Sequence, residues 1–199
     1  GPGILGKAMY IRQLMDQYGF FEEPLICTEM GWESNGSWGS TELQSRYPAI
    51  VYSRAMAADL PIAIWFMLYD LEMVGEPGIL DANYQPKTSY YAYQTMTEMM
   101  RSADYQRSLT SSETGSDEIE GYVFATSSGR MDVVWTVDDT RFDAEDDPVL
   151  LLGVPAEVLR VVDKFGNGSL HYDADDGQND GRITIEVGGS PLYLVYNPV

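Results

Sequence analysis

The hydrophobic pattern of this chain changes once, near residue 110, and this change constrains the fold more than any other feature. Before that point, apolar residues recur at helical spacing in three segments, and short apolar runs separate these segments. The order of helix, strand, helix, strand and helix is typical of strand–helix units in a parallel sheet. Beyond it, short apolar segments alternate with Gly, Asp and Asn turns, as in antiparallel sheets. The sequence therefore predicts an α/β fold over residues 1–109, a polar linker over 110–118 and an all-β sandwich over 119–199.

The individual elements follow from the same patterns. The apolar runs 24–28 and 62–68 are continuous, which predicts strands buried on both faces. Three helices accompany them, over residues 11–18, over 47–58 with a cap at Ser40 or Thr41, and from Thr88 onward. Six strands are expected in the second half, at 121–126, 131–137, 149–153, 157–162, 182–187 and 192–196.

Composition excludes several classes of function. The chain carries 31 acidic against 12 basic residues, a formal net charge of -19. Such a surface repels polyphosphate and anionic lipid, so we expect neither nucleic acid nor membrane partners. It suits an extracellular, secreted or a salt-adapted protein, and a merely solvated acidic surface is an equal alternative. The single cysteine, Cys27, and single histidine, His171, leave no material for a disulfide framework, a Cys-based zinc site or a Ser/His/Asp triad within the chain. We therefore expect no cofactor and no metal centre.

Two acidic loops contain clustered carboxylates, which can bind calcium. Residues 173–181 lack the spacing of an EF-hand, since Gly177 stands at the fifth ligand position and no Glu follows at the twelfth. We interpret this segment as a hairpin turn and residues 138–147 as a solvated loop.

The segment 24–32 is the most informative for chemistry. An apolar run ends in the carboxylate of Glu29, and the chain then enters a loop rich in Gly and Trp that includes Trp32 and Trp38. In strand–helix barrels the carboxyl ends of the strands face the active site. The next strand ends at Trp65, followed by Tyr69 and Asp70. Indole faces stack on the C–H faces of sugars and carboxylates accept from sugar hydroxyls, so this combination suits a carbohydrate ligand.

Several motifs in the same order resemble the end of the barrel in clan A retaining glycoside hydrolases. The run Pro24–Gly31 resembles the strand-seven pattern, which closes on Thr-Glu-x-Gly, and Trp65–Asp70 is similar to strand eight. Further similarities are the helix start at 41–47, the entry to the last helix at 78–90, and the strand of the appended β domain at 190–194. The resemblance implies the last two strand–helix units of a TIM barrel, incomplete here, followed by a small antiparallel β-sandwich.

This resemblance also implies roles for individual residues. Glu29 would be the nucleophile of a double-displacement hydrolysis, and the substrate-binding residues would be Trp65, Trp32, Trp38, Tyr69 and Asp70. The acid/base of the clan is the Glu of an Asn-Glu pair, and no such pair occurs in this sequence. Since a full barrel takes about 250 residues, we expect an inactive C-terminal fragment whose partner is the missing N-terminal barrel portion or another copy of itself.

Other interpretations remain open from the residues alone. Glu29 can be an ordinary carboxylate at a strand end, Trp65 a core residue, and Asp70 or Glu33 a solvated loop charge. A non-catalytic carbohydrate-binding or structural module is the main alternative to a glycosidase fragment. A third possibility is an assembly protein whose half-barrel oligomerises.

Overall fold

The computed structural model describes residues 3–71, 75–137 and 148–196. The chain divides into two compact units, Gly1–Ser89 and Tyr90–Val199. The predicted acidic loop at 138–147 lies outside the described residues. None of the described helices is long and apolar enough to cross a membrane.

The first unit alternates helices with short strands, as the sequence predicts. Its elements are helix α1 (Gly3–Gln17), strand β1 (Cys27–Met30), helix α2 (Thr41–Ala57) and strand β2 (Ala63–Trp65). Helix α3 (Thr88–Met100) begins at the end of this unit and continues into the second. The cap of α2 is Ser40, whose hydroxyl accepts a hydrogen bond from the Leu43 N–H at 3.1 Å. Pro48 lies inside α2.

Strands β1 and β2 form a two-stranded parallel sheet. Cys27 pairs with Ala63 and Met30 pairs with Trp65, with an irregularity between these two positions. The parallel pairing agrees with the strand–helix order of the sequence. Both strands are shorter than expected, and the Phe66–Met67 peptide bond that follows β2 is cis.

The prediction that these two strands are buried on both faces is wrong for the described chain. Ile26, Ile62 and Ile64 are 46%, 50% and 50% exposed. Their apolar character follows the pattern of a central parallel strand, but the described residues of the first unit form only two strands and leave these isoleucines uncovered. A hydrophobic pattern reports the environment that a segment needs, and a short sheet does not supply it.

The second unit is an antiparallel β domain. Its strands are β3 (Asp104–Ser108), β4 (Ile119–Thr126), β5 (Gly129–Thr136), β6 (Leu150–Val154), β7 (Val158–Val162), β8 (Gly168–Tyr172), β9 (Ile183–Val187) and β10 (Leu192–Tyr196). Six of them form one sheet in the order β3-β4-β5-β10-β7-β8, and β6 pairs with β9 in a separate sheet. The six strands expected from the sequence are confirmed, while β3 and β8 were not predicted.

The two sheets of this domain share one hydrophobic core. Side chains from both sheets belong to one buried cluster, which includes Val134 and Leu194 from the large sheet and Leu152, Ile183 and Val187 from the small one. A further buried group contains Trp135, which stacks on Tyr122 with ring centroids 5.6 Å apart. Burial of this apolar surface is the main stabilising contribution to the unit.

The segment predicted as a linker contains structure of its own. Residues Ser111–Thr114 form a short helix, α4, and the Glu113 carboxylate accepts a hydrogen bond from the Thr110 N–H at 2.9 Å. Strand β3, which precedes this helix, pairs with β4 and extends the large sheet. The sheet therefore begins within the residues that the sequence places in the first domain.

Candidate active site

Strand β1 presents Glu29 beside the end of its parallel neighbour. The Phe66 N–H donates to the Met30 carbonyl at 2.7 Å, and the Cys27 N–H donates to the Ile62 carbonyl at 2.9 Å. Met30 is buried, whereas Glu29, the preceding residue, is exposed, as expected for successive side chains on opposite faces of a strand. Backbone pairing with β2 thus places residue 29 beside the end of that strand.

Glu29 lines an open cleft of about 490 Å³ within the first unit. The cleft has acidic, basic and aromatic side chains as well as an apolar floor. Its lining residues are Gly3, Ile4, Lys7, Cys27, Glu29, Met30, Gly31, Trp32, Glu33, Tyr47, Val51, Phe66 and Pro77. A cleft of this size accommodates a small organic ligand such as a sugar ring.

An aromatic cluster forms one wall of the cleft. The rings of Trp32 and Tyr47 are 5.0 Å apart at 42°, and Tyr47 meets Trp65 edge-on at 6.0 Å. The Trp32 indole N–H donates to the Trp38 carbonyl at 3.1 Å, which holds the indole in place. Burial raises the pKa of Tyr47, and the nearby Arg54 only partly opposes this.

Gln44 of helix α2 holds the loops around the cleft together. Its side chain is fully buried, and its amide nitrogen donates to the carbonyls of Trp32, Glu76 and Gly78 at 2.9, 3.1 and 3.2 Å. Its amide oxygen accepts from the Ser89 hydroxyl at 2.8 Å. A buried amide with these partners fixes the loop after β1 against the loop that contains Glu76.

The structure separates the predicted site residues into two groups. It brings Glu29 and Trp32 together in the cleft, whereas Trp38, Trp65, Tyr69 and Asp70 are not among the described residues that line it. Trp65 lies buried behind Tyr47, and the Trp38 side chain is 64% exposed.

Asp70 is held in a buried ion pair. Its carboxylate accepts from the Lys87 ammonium at 2.9 Å and from the Gly78 N–H at 2.6 Å. Lys87 also donates to the Glu76 carbonyl at 2.8 Å. Tyr69 contacts Tyr84 at a ring distance of 5.0 Å. These contacts give Asp70 a role in fixing the loop at 76–78.

Sequence reasoning missed Lys7 and Tyr47 as cleft residues and Gln44 as the residue that orders the loops. Tyr47 lies in the segment predicted as the second helix, and nothing in its spacing relates it to Glu29. A buried glutamine near the start of an amphipathic helix was the one available signal, because a polar side chain on an inward face needs partners.

Gly31 permits the close passage of the chain beneath the end of β2. A Cβ atom at this position would collide with the carbonyl oxygen of Phe66, which is backbone and cannot move without disturbing β2. We expect Gly31→Ala to lower the free energy of unfolding by about 1–3 kcal/mol, as overpacking does. Urea unfolding measures the loss.

Gly188→Ala is the matched control, because its Cβ would meet only the Val149 side chain at 3.6 Å, an ordinary contact. An equal effect of the two substitutions would contradict the close approach at Gly31.

The interpretation of residues 173–181 as a hairpin turn is wrong, because Asp173–Asp176 form a 3-10 helix and the flanking strands β8 and β9 lie in different sheets. The carboxylates of this segment accept hydrogen bonds from backbone N–H groups. Asp173 accepts from the N–H groups of Gly181 and Arg182 at 3.0 and 3.1 Å, and Asp176 accepts from that of Gln178 at 2.9 Å. Among the residues that the structure describes, no group of three or more His, Cys, Asp or Glu side chains is placed to hold a metal ion.

The similarity of this chain to known proteins is found in the structure and not in the sequence. No protein-family model and no curated protein matches the chain. A family 39 glycoside hydrolase from the gut symbiont Bacteroides cellulosilyticus WH2 superposes with a TM-score of 0.73 at 19% identity, over 96% of this chain and 38% of that protein. The chain is similar in fold to part of a glycoside hydrolase.

Family 30 enzymes show the same relationship. A GH30 endoxylanase from Clostridium papyrosolvens C71 gives a TM-score of 0.58 at 10% identity, over 94% of this chain and 45% of that protein. The subfamily 8 xylanase Xyn30A from Clostridium acetobutylicum gives 0.54 at 10% identity, over 92% and 43%. This chain thus spans less than half the length of each of these three proteins. At such identities the likeness establishes the fold alone.

Proposed function

We propose that this chain is a portion of a retaining glycoside hydrolase and carries the nucleophile, Glu29. The observation that supports the proposal most directly is the position of Glu29 near the carboxyl end of a parallel strand, in a cleft walled by Trp32 and Tyr47. A sugar ring needs an apolar face to stack on and polar groups for its hydroxyls, and this cleft offers both. The fold similarity to glycoside hydrolases agrees with this interpretation.

The chemistry follows from the carboxylate. A Glu29 oxygen attacks the anomeric carbon, the bond to the leaving oxygen breaks, and a covalent glycosyl ester forms. Water then attacks the same carbon, releases Glu29 and gives net retention of configuration. A second carboxylate about 5 Å away must protonate the leaving oxygen and later deprotonate the water. Since the sequence has no Asn-Glu pair to supply it, we propose that the chain alone does not hydrolyse ordinary glycosides.

The partner in this proposal is the remainder of the barrel. Ile64 of β2 is exposed, as are Ile26 and Ile62, which directly precede β1 and β2. A two-stranded apolar sheet of this kind offers both its face and its edges for pairing. Further parallel strands would cover these side chains and close the cleft. Self-association is the rival, and sedimentation distinguishes it as a discrete multimer of 22.2 kDa units.

A mechanism-based label tests the nucleophile directly. A 2-fluoro glycoside with a dinitrophenolate leaving group needs no acid to expel that group, so the first step can proceed without the acid/base. We expect the glycosyl group to be found on Glu29 by mass spectrometry of the digested protein.

Glu29→Gln and Glu33→Gln form the matched pair for this experiment, because both side chains line the same cleft. Only Glu29→Gln should remain unlabelled. A label on Glu33 would show that the assignment of the nucleophile is wrong. Reversible binding of sugars to the unlabelled chain would favour a non-catalytic carbohydrate-binding module.

A further inference from the structure

The β domain contains a second cleft, distinct from that around Glu29. It encloses about 250 Å³ between the large and the small sheet of the second unit. It has two arginines, two carboxylates and an apolar floor. Its lining residues are Leu109, Ser112, Glu113, Arg130, Asp132, Leu152, Gly153, Val154, Pro155, Arg182, Leu194 and Tyr196.

The buried carboxylate of this cleft is already fully paired. Asp132 is 1% exposed and accepts two hydrogen bonds from the Arg130 guanidinium, at 2.8 and 2.6 Å. The Tyr196 hydroxyl donates a third at 2.8 Å. The guanidinium carbon of Arg130 also lies 4.4 Å from the centroid of the Tyr196 ring. Asp132 therefore neutralises the charge of Arg130.

The second carboxylate of the cleft is paired as well. Glu113 accepts from the Arg107 guanidinium at 2.9 and 2.8 Å, in a two-point contact. Hydrogen bonds from Arg107 and from Thr110 lower the pKa of Glu113 to about 2, so this pair persists at neutral pH. Neither acid in the cleft is left to neutralise another cation.

Arg182 is the remaining charge, and it is held in place. One of its terminal nitrogens donates to the Gly153 carbonyl at 2.7 Å, and its backbone N–H donates to Asp173 and Asp180 at 3.1 Å each. A Cβ at Gly153 would lie 3.0 Å from the Arg182 Nε, so the guanidinium rests closely on this glycine. Within the described ranges, no carboxylate forms an ion pair with the Arg182 side chain.

We propose that this cleft binds a carboxylate-bearing ligand of the size of one sugar ring, such as a uronic acid unit, through Arg182. The planar guanidinium offers parallel N–H donors that match a carboxylate in two-point geometry. Leu109, which is half-buried, and Pro155, which is exposed, provide apolar contact for the body of the ligand. This site is independent of Glu29 and of the glycosidase proposal, since all its residues belong to the second unit.

Isothermal titration calorimetry of the whole chain at low ionic strength tests this site with three probes. Sodium glucuronate should bind, glucose should not, and acetate should bind at least about tenfold more weakly than glucuronate, because it lacks the ring that contacts the apolar floor. Equal binding of acetate and glucuronate would show that the site recognises simple carboxylates and would overturn the sugar-sized ligand. Absence of binding by both acids would overturn the site itself.

Substitutions at two arginines distinguish binding of glucuronate in the cleft from nonspecific attraction to positive charge. Arg182→Gln should weaken glucuronate binding by about tenfold or more, and Arg182→Lys should recover only part of the loss because it lacks the planar fork. Arg160→Gln is the matched control, since Arg160 rests on Gly168 as Arg182 rests on Gly153 but lies outside the cleft. Equal losses from Arg160→Gln and Arg182→Gln would contradict the assignment.

Discussion

Combining this chain with the six strand–helix units that complete the barrel should give hydrolysis of an aryl glycoside, and Glu29→Gln should reduce the rate by about 10⁴-fold or more. Losses of this order are typical when a covalent nucleophile is removed, because the double-displacement route is lost while substrate binding is kept. Gln has nearly the shape of Glu, so the aromatic wall of the cleft stays in place. The release of the aryl leaving group, followed by absorbance, gives the rate.

Two controls make this prediction specific. Glu33→Gln removes a different carboxylate of the same cleft and should leave the nucleophilic step intact. Glu29→Ala should recover turnover with added azide, which attacks the anomeric carbon from the vacated side and yields a glycosyl azide of inverted configuration. Hydrolysis that survives Glu29→Gln unchanged would refute the proposed function, whatever ligand the β-domain cleft binds.

The second large effect concerns stability. Asp132→Ala should lower the free energy of unfolding of the β domain by about 2–4 kcal/mol, because it leaves Arg130 and the Tyr196 hydroxyl without their shared partner. Burial raises the pKa of Tyr196, so its hydroxyl stays protonated and continues to need an acceptor. The Arg130 side chain is 37% exposed, and water compensates part of the loss. Urea unfolding followed by tryptophan fluorescence measures the change.

The exposed ion pair of the same cleft is the control. Arg107 and Glu113 have side chains 48% and 39% exposed, so Glu113→Gln should cost much less than Asp132→Ala. A double-mutant cycle of Asp132→Ala with Tyr196→Phe then isolates the coupling through the hydroxyl. Equal costs for the buried and the exposed pair would contradict the role of burial at Asp132.

In the β domain, the strands that the sequence predicted are those that bury side chains. Strands β4, β5, β6, β7, β9 and β10 all contribute to the buried core, and alternation or continuous apolar runs identified them. The two missed strands, β3 and β8, lie at the two edges of the large sheet, and most of their side chains are exposed. An edge strand is held by backbone hydrogen bonds to one neighbour, so it needs no apolar pattern.

The residues of the candidate site also divide into those that a local sequence pattern identified and those whose place depends on contacts distant in sequence. Glu29 was identified because its carboxylate ends an apolar run, which is a local feature of the chain. Tyr47 and Lys7 reach the cleft from two helices, and their positions depend on the packing of these helices near β1. Asp70 was predicted to lie in the pocket, but Lys87, seventeen residues later, binds its carboxylate. Contacts between residues distant in sequence decided these three cases.

The sequence by itself thus determined where the three long helices and the core strands of the β domain lie, the parallel pairing of the first unit, and the placement of Glu29 near a strand end. These properties follow from local periodicity and from the end of an apolar run, which require no knowledge of partners. Only the tertiary structure decided which side chains share the cleft with Glu29, which charges are paired, and that Arg182 lies against Gly153. Such contacts arise when separate elements pack together, and no spacing along the chain encodes their distances.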